Sequence, residues 1–236
     1  MGFWPWSKNR RRRTDPASVD PAWDTAHEHC RLLVRTGFES RDDIVRTVRE
    51  ILQDEGVEDI REDEVFGLVD GEIRDLTDDQ SAWPEVTDCD RLRAAFDSLR
   101  RSGIWARHHY SCCGTCGNLE SMMDLEYLDR AGESHRGYAF YHVQDTENAV
   151  TGGGLYLSYG DYASTDEGSL AVGHEIVDAI RKQGLETDWD GTIQNRIYVQ
   201  LDWKHRWPPS PSEAVLPEAV ELWRSRTGAQ GRLGHG

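Results

Sequence analysis

The chain has 236 residues, with 27 Lys and Arg against 43 Asp and Glu, a formal net charge of −16, and 37% hydrophobic residues. That length suits one large domain or a domain with a helical extension, and the periodic spacing of the apolar residues excludes wholesale disorder. No apolar run approaches the ~20 residues that cross a bilayer, and no secretion signal opens the chain, so a cytoplasmic protein is expected.

The positive charge is concentrated at the start. Lys8, Arg10, Arg11, Arg12 and Arg13 lie within the first 13 residues, which leaves 22 basic residues against 43 acidic ones elsewhere. A body of that charge repels phosphate backbones, so general nucleic-acid binding is not expected. Among the basic residues only Lys8, Lys182 and Lys204 are lysines, a bias that suggests a GC-rich genome. Residues 1–22 read as a disordered basic leader, with Pro16 and Pro21 interrupting any helix. Trp4 and Trp6 beside the arginines are the features of a weak contact with an anionic membrane surface. A floppy terminus is the plainer reading.

Residues 23–103 read as a helical portion. Trp23, Ala26, Cys30, Leu33, Val34 and Phe38 fall near helical spacing, with Gly37 close to the stop. Ser40 followed by Asp43 resembles a capping box and opens a second helix with Ile44, Val48, Ile51 and Leu52 on its buried stripe, ending at Gly56. A third runs from about Asp63 to Leu76, weakened by Gly67 and Gly71. Thr87 with Asp90 repeats the capping signal for a fourth helix carrying Leu92, Ala95, Phe96 and Leu99, closed by Gly103.

From residue 104 to 207 the pattern changes to a sheet portion. Ile104 to Ser111 reads as a strand, followed by a cysteine turn and a helix from about Thr115 to Leu128. Tyr138 to Gln144 is an aromatic-rich strand and Leu155 to Tyr159 another. Leu170, Gly173, Ile176, Val177 and Ile180 form a helix face stopped by Gly184. A short strand reaches Trp189, with Asp190-Gly191 as a turn. Ile197, Val199, Leu201 and Trp203 alternate with polar residues in the clearest half-buried strand of the chain. Residues 208–236 read as a Pro- and Gly-rich linker and tail with a short helix from Pro217 to Arg226. The fold class is therefore α+β: a helical N-terminal portion packed on a mainly antiparallel sheet, in the order β-α-β-β-α-β-β. A ferredoxin-like sheet is an economical way to satisfy that order, with 23–103 and 104–207 as two parts of one domain or as two.

There are five cysteines, Cys30, Cys89, Cys112, Cys113 and Cys116. The odd count and the tight cluster of three argue against a secreted disulfide framework, so the thiols are expected to be reduced. His108-His-Tyr-Ser-Cys-Cys-Gly-Thr-Cys-Gly117 places a Cys-x-x-Cys pair, Cys113 and Cys116, between a strand and a helix. Helix-end amides and the helix dipole favour a thiolate there. Three readings compete. One is redox chemistry as in thioredoxin-like proteins, although their sites face a cis-proline and this chain has no proline between Pro84 and Pro208. The second is a metal, zinc for choice, on Cys112, Cys113 and Cys116 with His142, His108 or His109 as a further ligand. The third is a purely structural set of small buried thiols.

The second constellation is Tyr141-His-Val-Gln-Asp-Thr-Glu147. On a strand, His142 and Gln144 project to one face and Asp145 to the other, with Glu147 just beyond. Imidazole beside carboxylates suits acid–base work or metal binding. Gly152-Gly-Gly154 is not a phosphate loop, since it precedes a strand and no Gly-Lys-Ser/Thr follows. Trp189, Trp203 and Trp207 are expected in the core.

The segments Thr87-Asp-Cys-Asp-Arg-Leu92, Cys112-Cys-Gly-Thr-Cys-Gly117, Gly137-Tyr-Ala-Phe-Tyr-His-Val-Gln-Asp-Thr-Glu147, Gly153-Gly-Leu-Tyr-Leu157 and Trp189-Asp-Gly191 resemble a bacterial family, common in actinobacteria, known as a domain of unknown function. The resemblance runs from about Trp23 to Trp207. It implies a cytoplasmic bacterial protein and no particular activity. The favoured reading is a non-enzymatic binding or regulatory protein whose Cys turn is structural or holds a metal. The alternative is a thiol-dependent redox enzyme with Cys113 as nucleophile, Cys116 as resolving thiol, and His142 or Asp145 relaying protons.

Overall fold

The computed structural model describes residues 20–208. The expected leader contacts, and the tail and its helix from Pro217, lie outside the described residues. The first helix, α1 (Pro21–Thr36), begins two residues before the helical start expected at Trp23. Pro21 starts this helix instead of interrupting it: its missing N–H and fixed φ suit the first helical position, and the Asp20 carboxylate accepts from the Ala22 amide at 3.1 Å.

Helices α2 (Arg41–Asp54) and α3 (Glu62–Gln80) complete a three-helix bundle with α1. Ser40 caps α2 through the Asp43 amide, as its spacing predicts. The α3 helix runs a turn further than the apolar pattern suggested, and Gly67 and Gly71 sit on it facing open space. Ala26, Cys30, Val34, Ile44, Val48, Leu52, Val65, Val69 and Leu76 form the bundle core. The Cys30 thiol is enclosed there, and burial first, then the Glu72 charge, pushes its pKa up to about 12. It is inert in the way buried thiols are.

The fourth helix, α4 (Asp88–Arg101), carries the expected Thr87–Asp90 capping box, yet its Leu92, Ala95, Phe96 and Leu99 join the core of the sheet and not that of the bundle. The remaining elements are β1 (Ile104–Arg107), α5 (Gly114–Arg130), β2 (Gly137–Phe140), α6 (Val143–Val150), β3 (Leu155–Asp161), α7 (Asp166–Lys182), β4 (Glu186–Asp188) and β5 (Ile197–Gln200). The sheet order is β1-β2-β3-β5-β4, with β1 and β2 parallel and the other pairs antiparallel. The fold is α+β and the sheet mainly antiparallel, as expected. The strand order is not the ferredoxin-like one. The β3-α7-β4 unit is split by β5, as that topology requires, but β1-α5-β2 is not split: its strands pair directly.

Helices α4 and α7 cover one face of the sheet, over Leu155, Leu157, Ile197 and Val199. On the other face α5 packs Leu125 and Leu128 against Trp105, Tyr110 and Phe140. Gly117 allows that approach, since a Cβ there would meet the Phe140 ring at 2.5 Å. Trp189 and Trp203 pack against the sheet core and Trp207 against the bundle.

Three strands end sooner than their residue patterns imply. The first stops at Arg107 because His109 and Ser111 have left-handed backbone, φ 48 and 63. The second stops at Phe140, and residues 143–150, expected to hold the strand end and a loop, form α6. The last stops at Gln200, where the Asp202 amide turns to the Asp88 carboxylate and the chain leaves the sheet. Residues beyond it cross to the helical bundle. The Trp203 indole N–H donates to Arg35 O at 3.0 Å, His205 lies against Gly37, and Arg206 donates to Pro84 O.

Candidate functional site

The loop from β1 to α5 is fixed at every step except its cysteines. His108 Nδ1 lies 3.0 Å from the Tyr141 hydroxyl, and its ring stacks on Phe96. His109 stacks on Phe38, with Nδ1 2.8 Å from Thr146 Oγ1 and Nε2 3.1 Å from Glu39 Oε1. The Tyr110 amide donates to Tyr141 O and its hydroxyl to Asp124. The Val143 amide donates to Ser111 O. These anchors hold two non-glycine residues in a conformation that costs on the order of 1–3 kcal/mol each, and they aim the next five residues outward.

Cys113 is the N-cap of α5, in extended conformation, and Cys116 lies on the first turn. The sulfurs of Cys112, Cys113 and Cys116 all lie within 4.8 Å of one another. Cys112 is exposed and the other two half-buried, whereas Cys30 and Cys89 are buried. The cluster is therefore not enclosed in the way Cys30 and Cys89 are. The Cys116 amide and thiol lower the Cys113 pKa, although no hydrogen bond of ordinary capping geometry reaches that sulfur. Cys116 is pushed up to about 12 by hydrogen bonding and charge from Cys112 and Cys113. The two ends of the Cys113–Cys116 pair are thus shifted in opposite directions.

His142 adjoins this turn. A Cβ on Gly114 would lie 3.5 Å from His142 Nε2, an ordinary contact. His142 caps α6 in a box of unusual chemistry: its Nδ1 accepts from the Asp145 amide at 3.2 Å, and Asp145 Oδ2 accepts from the His142 amide at 3.1 Å. This box is why the strand could not continue. The His142 Nε2 lies 3.0 Å from Asp145 Oδ2 and 3.5 Å from Arg196 Nη1. Burial first, then the Arg196 and His109 charges, lower the His142 pKa against the pull of Asp145. Arg196 closes the group with a bidentate pair to Asp145 at 2.9 and 2.5 Å and a bond to Tyr156 O. Its other side borders an open groove of about 710 Å³ lined by Tyr156, Trp189, Asn195 and Tyr198.

The structure therefore brings Cys112, Cys113 and Cys116 together and sets His142 against Gly114 of their turn, with Asp145 paired to His142 and Arg196 at the start of a helix instead of on the opposite face of a strand. Gln144 is exposed on α6. Glu147 is half-buried on α6, where burial raises its pKa near His109 and Glu39. Arg196, Glu39 and Thr146 escaped the sequence reading. Arg196 had been only a polar partner in an alternating strand, and no local signal links it to residue 145.

The Glu39 contact has a pH signature. Burial opposes its ionisation, but the hydrogen bond and charge of His109 and the Thr36 hydroxyl outweigh it, so its pKa is lowered on folding. A carboxylate lowered in the folded state stabilises fully above its unfolded pKa, and that contribution is lost as pH falls through the folded value. The Glu39→Gln variant should be less stable than the parent near pH 7, by on the order of 2 kcal/mol for a charged buried hydrogen bond. Urea midpoints of the two proteins should converge well below about pH 4. A gap that persists unchanged in acid would show that the carboxylate charge is not what Glu39 contributes.

Among the described residues no helix is long and apolar enough to cross a membrane. Fold and site together define an α+β protein with three clustered, solvent-accessible thiols at a helix N-terminus. The chain belongs to the family described as Domain of unknown function (DUF6891), whose model matches residues 20–207. Comparison with curated proteins and with solved structures gives no match.

Proposed function

We propose that this is a non-enzymatic binding or regulatory protein of the reducing cytoplasm, and that its Cys112–Cys113–Cys116 turn holds a metal ion. One observation carries the reading: three sulfurs from five consecutive residues converge within 4.8 Å while remaining accessible. Thiolates are the soft ligands that bind thiophilic metals, and the Cys113 thiol at the α5 N-cap is shifted towards its ionised form. The full chain, reduced and made metal-free, should bind one equivalent of zinc(II) or copper(I), with Cys112, Cys113 and Cys116 shielded from alkylation as mapped by mass spectrometry. Three thiols that alkylate as fast with either metal as without would remove the reading.

A second reading rests on the opposite shifts of Cys113 and Cys116. Low and high thiol pKa values at the two ends of a Cys-x-x-Cys pair suit dithiol exchange. The Cys113 thiolate would attack a disulfide-bearing partner and release one partner thiol. Cys116, on losing its proton, would displace the second, leaving a Cys113–Cys116 disulfide and a reduced partner. In the same alkylation experiment, metal-free protein would then show Cys113 reacting at a pH well below that of ordinary cysteine. Slow alkylation of Cys113 at neutral pH removes this alternative.

A further inference from the structure

The donor set is made of sulfur alone. The imidazoles near the turn are held by contacts of their own. His142 Nδ1 caps α6, and its Nε2 lies 3.0 Å from Asp145 Oδ2 and 3.5 Å from Arg196 Nη1. His109 has Thr146 at one nitrogen and Glu39 at the other, and His108 lies on the Tyr141 hydroxyl. The neighbouring carboxylate, Asp145, is occupied by Arg196 and by the His142 amide. Recruiting His142 as a ligand would mean breaking the cap of α6 and separating it from a buried ion pair. The cluster of metal-binding side chains at this turn accordingly comprises the three cysteines and no nitrogen or oxygen ligand.

That composition discriminates between metals. Zinc in a closed protein site takes four ligands in a tetrahedron. A closed-shell monovalent ion is content with three thiolates in a plane. Metal–sulfur bonds of about 2.3 Å in a trigonal plane put the sulfurs about 4.0 Å apart, inside the 4.8 Å that already separates them at most. Soft thiolates favour copper(I) among biological ions. Two of the sulfurs come from adjacent residues and the third from the first turn of α5, with Cys112 exposed, so an ion can enter and leave without unfolding the site.

We propose that Cys112, Cys113 and Cys116 form a three-coordinate, all-thiolate site for copper(I), with no imidazole ligand. This rests on the metal-holding reading above. The experiment is an anaerobic titration of the reduced full chain with copper(I) held in a chromophoric chelator, run in competition with zinc(II). One copper(I) per chain is expected, bound more tightly than zinc. Cys112→Ser should weaken copper binding by at least about tenfold although the Cys113–Cys116 pair is intact. His142→Asn, which retains a good N-cap residue and whose fold is checked by circular dichroism, should leave copper affinity unchanged. Tighter binding of zinc than copper, loss of affinity in His142→Asn, or indifference to Cys112→Ser each overturns the three-coordinate copper assignment while leaving a metal site in place. Failure of both metals to bind overturns the metal-holding reading itself.

Discussion

Asp145→Ala is expected to destabilise the protein by about 3–5 kcal/mol, the range found when one partner of a buried ion pair is removed. The carboxylate is 5% exposed and serves two elements at once. It holds Arg196 of β5's approach in a bidentate pair and accepts the His142 amide at the start of α6. The alanine variant keeps the His142 cap but loses the acceptor of the His142 amide, worth about 1 kcal/mol, and leaves a guanidinium facing an imidazole that it approaches to 3.5 Å. Arg196 is 35% exposed along its side chain, so water relieves part of that cost and the lower end of the range is expected. Asp145→Asn, which keeps an acceptor for the amide, should fall between alanine and the parent. Pairing Asp145→Ala with Arg196→Met should cost clearly less than the sum of the two single changes, because no orphaned charge remains. Urea denaturation of the four proteins measures this. Strict additivity would mean that the two side chains do not depend on each other.

Gly37→Ala should cost about 3 kcal/mol, and Gly56→Ala only about 1 kcal/mol, although both glycines follow a helix with nearly the same left-handed backbone. Gly37 has φ +83 and Gly56 φ +80, so the conformational penalty of a side chain is shared. The surroundings differ. A Cβ at Gly56 meets open space, whereas one at Gly37 would lie 2.2 Å from Nδ1 and 2.7 Å from Cγ of the buried His205 ring. The ring is wedged between Phe38 and Trp203 and cannot retreat without disturbing both. The difference between the two variants therefore isolates the contact between the first helix and the segment after the last strand. Equal losses in thermal or urea unfolding would show that His205 yields freely.

Much of the fold was legible because it is written in local chemistry. Ser40 and Thr87 cap their helices three residues ahead of an aspartate, and the glycines at 37 and 103 close theirs with positive φ. The cysteine turn was legible from spacing alone, since residues 112, 113 and 116 cannot avoid one another at the start of a helix. The segment 138–144 was misread because its aromatics and alternation suit a strand, while the stop signal is a histidine acting as cap acceptor, outside the usual Ser, Thr, Asp and Asn set. The strand order was out of reach, because nothing local states that β5 inserts between β3 and β4. The partners of the site were hidden for the same reason. Glu39 meets His109 across 70 residues, and Arg196 meets Asp145 across 51.

The crossing of residues 201–207 back to the first three helices bears on how the protein is made. Trp203 bonds to a carbonyl 168 residues earlier, and Trp207 packs on a core whose other members end at Trp83. Loops of that span close slowly. During synthesis the helical bundle emerges before the sheet, yet its surface at Arg35, Gly37 and Pro84 stays uncovered until residues 203–206 have left the ribosome. The earlier of the two parts to appear is thus the later to be finished.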